Sequence, residues 1–143
     1  MKTKLTLTCA IAALAALASC GKKDEVAPKP IAVDKTVEFK VFASKDYSKS
    51  YQADDEVRIY LSIRRRNKKT LESTVVFDTT FYKKLKELPL ESNPITINKK
   101  ISNVIVEDEW VDIGSGARVG GFGYGGTQPF PEDETVKSIE VEW

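Results

Sequence analysis

Chemistry has few places to happen in this sequence. Histidine is absent, which removes the ordinary serine triad and any histidine metal site. Two cysteines are present. Cys9 lies inside an uncharged run rich in Leu and Ala, where it reads as a small hydrophobe. Cys20 closes that run directly behind Leu17-Ala18-Ser19. Acidic residues gather at Asp54-Asp55-Glu56, Asp108-Glu109 and Glu132-Asp133-Glu134. They read either as oxygen ligands for Ca²⁺ on converging loops or as solvated loop charges, since no EF-hand spacing is present. Paired carboxylates are also what glycoside hydrolysis uses. The densest basic run, Arg64-Arg65-Arg66 with Lys68 and Lys69, reads as a contact for a polyanion or for anionic headgroups. The other reading is a hairpin tip whose charge discourages edge pairing.

The oddest composition lies between Gly114 and Gly126, which holds seven of the eight glycines. Its spacing matches neither a P-loop nor a dinucleotide fingerprint, and no Lys-Ser or Lys-Thr directly follows it. Two readings remain. One is a flexible loop presenting Arg118, Phe122 and Tyr124 to a protein or a sugar, since aromatics on an adaptable backbone suit recognition. The other is a bulged or edge strand whose Phe122 and Tyr124 pack on the end of the fold. No catalytic residue, cofactor or metal ligand is assigned.

Lys2 and Lys4 form a basic head, and the uncharged run from Leu5 to Ser19 comes next. That run is too short for a bilayer core that needs roughly twenty residues, and it has the layout of a secretory signal peptide. Leu17-Ala18-Ser19-Cys20 resembles the lipobox of bacterial lipoproteins. The resemblance covers about the first 25 residues. It implies cleavage before Cys20, lipidation of its thiol and acylation of the new amine, so that a membrane partner is reached through lipid. Several acyl chains on one terminus suffice to anchor, each buried CH₂ contributing about 0.8 kcal/mol. Lys22-Lys23-Asp24-Glu25 is similar to the export signals of surface lipoproteins in the Bacteroidota, and it also reads as a plain solvated tether. The implied place is the cell envelope, on an outer membrane, on its periplasmic or surface side. Val26-Ala27-Pro28-Lys29-Pro30 reads as a stiff extended spacer.

The rest of the chain must position these features. Residues 1–19 read as the signal, 20–33 as the lipidated terminus and linker, and 34–143 as a single domain. Removing Lys2 and Lys4 leaves 20 basic against 21 acidic residues, a balance with no global pull toward nucleic acid, which is not expected as a partner. With Cys20 lipidated and Cys9 removed, no disulfide can form, so the core alone must hold the domain. Val37, Phe39 and Val41 alternate with polar neighbours, as do Val57, Ile59, Leu61 and Ile63, then Val75, Phe77, Thr79 and Phe81. Period two with β-branched and aromatic residues predicts half-buried strands. Further strands are expected at Ile95–Ile97, Val104–Val106, Val111–Ile113 and Val136–Trp143, with one helical turn before Pro89. Seven or eight short strands predict an all-β, immunoglobulin-like sandwich, with a small β-barrel as the alternative.

The expected function is a membrane-anchored, non-catalytic binding or structural module with a protein or glycan partner. A small envelope enzyme using paired carboxylates and a Ca²⁺-stabilised sandwich are the alternatives. Cys20→Ala is expected to abolish fatty-acid labelling and to leave the chain unprocessed or released, as read by mass spectrometry of the native protein.

Overall fold

The computed structural model describes residues 29–143. The signal peptide, Cys20 and most of the linker lie outside the described residues. Seven strands come in order: β1 (Ala32–Phe42), β2 (Glu56–Asn67), β3 (Ser73–Lys84), β4 (Ile95–Ile105), β5 (Glu109–Val119), β6 (Phe122–Pro129) and β7 (Val136–Glu142). The turn before Pro89 is a single 3₁₀ turn over Leu85–Glu87. Two sheets form, β4-β1-β7 and β3-β2-β5-β6. The chain is an all-β sandwich of seven strands, as the alternation predicts.

Strand adjacency refines that statement. The order β3-β2-β5-β6 is that of strands C′, C, F and G in an immunoglobulin variable-type sheet, and β4-β1 is that of E and B. The difference lies at one edge. The position beside β1 that an immunoglobulin gives to its first strand is filled here by the last strand, β7. It runs parallel to β1 from Thr36↔Val136 to Phe42↔Glu142.

The inward stripes of both sheets meet in one core. Val37, Phe39 and Val41 from β1 face Val57, Ile59, Leu61 and Ile63 from β2, with Ile101, Ile113, Ile139 and Val141 around them. Phe39 and the half-buried Phe77 meet across the two sheets with ring centroids 6.2 Å apart. Full burial of each such side chain contributes about 1.5–3 kcal/mol.

Two expected strands, Ile95–Ile97 and Val104–Val106, are the two ends of β4. An inward-register lysine splits the apolar pattern: Lys99 lies opposite Val37, and its ammonium sits 4.5 Å from the centre of the Phe77 ring. Further along, β4 carries one extra residue against β1, since Val33 pairs with Val104 while Lys35 pairs with Ile101. Asn103 there has φ 56°, and its N–H donates to Asp34 Oδ1 at 2.9 Å. This bulge shifts the inward phase from Ile101 to Val104 and breaks strict alternation.

Lys35 continues the inward row of β1 and is only 2% exposed. Its ammonium donates to the carbonyls of Pro131, Glu132 and Glu134 at 2.8, 3.2 and 2.6 Å and lies 4.4 Å from the centre of the Phe130 ring. Burial lowers its pKa, and the carboxylates of Asp133, Glu132 and Glu134 pull it back up. One side chain thus fastens the β6–β7 connection over the end of the core. Lys35→Met keeps the apolar stem but leaves those carbonyls bare, and is expected to cost about 1–3 kcal/mol in urea unfolding. Faster amide exchange at residues 131–135 should accompany the loss.

Candidate functional site

The outward face of the four-stranded sheet carries the most unusual surface. On β2, Arg58, Tyr60 and Ser62 point away from the core, between the buried Val57, Ile59, Leu61 and Ile63. Register sets Arg118, Gly116 and Gly114 of β5 opposite them, and Gly123, Gly125 and Thr127 of β6 opposite those in turn. Glycine at every second position strips this part of the face of side chains. Tyr60 lies down on the bare backbone, and a Cβ built on Gly116 or on Gly125 would fall inside its phenol group. The result is an open depression of about 620 Å³ lined by Arg58, Tyr60, Arg118, Gly123, Tyr124 and Gly125.

Arg58 and Arg118 face each other directly across the β2–β5 ladder. Both are exposed, and among the described residues neither has a carboxylate within 4.0 Å.

The reading of Gly114 to Gly126 as a flexible loop is corrected. The segment belongs to two paired strands joined by a two-residue turn, Gly120-Gly121, with Gly120 at φ 55°. Val119↔Phe122 closes the hairpin, and β6 is an edge strand. The three residues that a loop would present together are separated by the pleat. Arg118 shares the outward face with Gly123, while Phe122 and Tyr124 pair with Val119 and Ala117 on the other face. Phe122 is 84% exposed and does not pack on the end of the sandwich. Tyr124 is 47% exposed, and its phenol pKa is raised by burial and by the Glu142 carboxylate of β7. Of the three, Arg118 faces the depression, Tyr124 borders it and Phe122 stands apart.

Arg58 and Tyr60 were missed in the sequence, where they read as the polar side of a strand. Their signal was the i, i+2 spacing of Gly114 and Gly116 and of Gly123 and Gly125, which marks a face made to be covered by something large.

The opposite end of the sandwich is electrostatically closed. Arg65 pairs with Glu109 and also donates to the Asn103 carbonyl at 2.8 Å. Arg66 lies 2.9 Å from Asp112, Lys68 lies 2.6 Å from Glu132, and Lys69 lies 2.9 Å from Asp108. The basic run and two of the acidic groups therefore neutralise each other. Arg65 and Arg66 belong to β2, so the hairpin tip begins only at Asn67, whose Oδ1 accepts from the N–H of Lys69 and of Thr70. Asp54, from the third acidic group, bridges Lys84 and Lys86 at 2.9 and 2.8 Å. Among the described residues no three acidic side chains come together as a metal site. A second depression, of about 370 Å³, is bordered by Glu91, Glu140 and Glu142, all solvent-exposed.

Compared with protein-family models, curated proteins and solved structures, the chain matches none of them.

This geometry has two measurable outcomes. Gly125→Ala must displace Tyr60 and is expected to cost about 1–3 kcal/mol. Gly126→Ala meets nothing within 4 Å and is expected to stay within about 0.5 kcal/mol of the parent. Adding Tyr60→Ala to Gly125→Ala removes the collision, so the pair should be strongly non-additive in denaturant unfolding. Lys86 and then Lys84 hold the Asp54 carboxyl at about 2, below the ordinary 3.8. A depressed carboxyl contributes stability that is complete above its unfolded value and is lost as pH falls toward the folded one. Asp54→Asn should therefore flatten the stability profile between pH 3.8 and about 2, and added salt should do the same to the parent.

Proposed function

We propose that the chain is a non-catalytic binding or structural module, held to a membrane of the cell envelope through a lipidated Cys20, with a glycan or protein partner. The anchor rests on the lipobox-like Leu17-Ala18-Ser19-Cys20 behind a short apolar run. No helix among the described residues is long and apolar enough to cross a membrane. The recognition half rests on one observation, the open outward depression in which Tyr60 lies over Gly116 and Gly125 beside the Arg58–Arg118 pair. Its side chains suit holding rather than turnover. Guanidinium presents donors in a fixed fork and no acceptor, which suits gripping an oxyanion.

The tether fits the same reading. β1 begins at Ala32, twelve residues after Cys20, and a fully extended chain of that length spans at most about 40 Å. A domain so held samples only the layer next to its membrane.

The test is a glycan array together with a pull-down from envelope extract, each run with the parent and with Arg118→Ala. Binding on either that is weakened by the substitution supports the module. A blank array and a blank pull-down would remove it.

A further inference from the structure

We propose that the Arg58–Arg118 row binds the acid groups of an anionic polysaccharide. This rests on the binding-module reading and names the chemistry of its ligand. Like charges directly opposite on one sheet face repel, because their Cβ atoms stand only about 4.5–5.5 Å apart. Many cations elsewhere in the domain are neutralised: Arg65, Arg66, Lys68, Lys69, Lys84 and Lys86 pair with carboxylates, and the exposed Arg64 faces Asp112 across the ladder rather than another cation. Glu56 stands two residues before Arg58 and, among the described residues, pairs with neither arginine. A local rule is broken without an internal compensation, which is the mark of a site whose partner comes from outside.

An oxyanion between the two forks supplies that partner. Guanidinium donates paired N–H bonds to carboxylate or sulfate in a fixed plane. Beside the row, Tyr60 rests one ring face on the glycine backbone and turns the other outward, a platform for the apolar face of a sugar ring. An acidic peptide is served less well. β2 and β5 are hydrogen-bonded on both sides, so the arginine row itself offers no main-chain groups for strand addition. A headgroup of the anchoring membrane is also disfavoured. Arg58 and Arg118 lie near the end of the sandwich where β2 starts and β5 stops, opposite the end where β1 enters.

The experiment is titration calorimetry of the full-length protein with polygalacturonate, dextran sulfate, neutral dextran and polyglutamate. Arg58→Ala, Arg118→Ala and Arg64→Ala are compared, the last removing an exposed arginine from outside this row. The expected result is binding of at least one acidic polysaccharide and none of dextran. Arg58→Ala and Arg118→Ala should each weaken it by about tenfold or more, and Arg64→Ala by less than about twofold. Melting temperatures of the two site variants should not fall, since each substitution relieves a repulsion. Whether polygalacturonate or dextran sulfate binds more tightly distinguishes carboxylate from sulfate. Polyglutamate binding as tightly as the polysaccharides would overturn the proposal in favour of an acidic protein. Equal losses in all three variants would overturn it as diffuse attraction. Binding of neutral dextran with no preference for acid would overturn it and leave the module reading standing. Silence toward every polymer, with the array and pull-down also blank, would remove both.

Discussion

The inward row of β1 is the constraint on which the domain depends. β1 is the central strand of its sheet, paired antiparallel with β4 and parallel with β7. Every second residue from Lys35 to Val41 is buried. Its apolar members place Phe39 at the middle of the sandwich, and its one polar member clamps the connection that leads into β7. Burial alone would leave that connection free, and the lysine alone would be an expensive buried charge. Together they hold the last strand against the strand that opens the domain.

Much of this was legible in the sequence because burial on one face imposes period two. The apolar stripes Val37–Val41 of β1, Val57–Ile63 of β2 and Ile139–Val141 of β7 are buried as their alternation implies. The sequence was harder to read where an inward position is not apolar. Lys99 interrupts β4 because its ammonium is satisfied by the Phe77 ring, an interaction that hydropathy does not register. The bulge opposite Asp34 then changes the phase. Gly114 to Gly126 left loop and edge strand both open because glycine is depleted in strands, and the segment is strand, with β6 at the edge. Gly116 and Gly125 occupy strands because the Tyr60 ring, far away in sequence, takes the space that their side chains would fill. Pairings across such separations have no local signal.

The charge layout has the same character. Composition shows near-equal numbers of acids and bases and says nothing of where they meet. Folding brings the Arg64–Lys69 run against Asp108, Glu109, Asp112 and Glu132, so that two apparent patches of opposite sign cancel at one end. Near the other end Arg58 and Arg118 stand directly opposite each other with no carboxylate between them. Most of the densest basic run in the sequence is therefore taken up in ion pairs, and two arginines that stand sixty residues apart form an exposed pair.

The parallel pairing of β7 with β1 has a mechanical consequence. A pull at Ala32, resisted by a ligand held on β2 and β5, is directed along the strands. The ladders on both sides of β1 then bear it together, in shear, with Lys35 pinning the loaded end. Bonds loaded side by side do not open one after another, so tension applied between Ala32 and the β2–β5 face would meet both ladders at once.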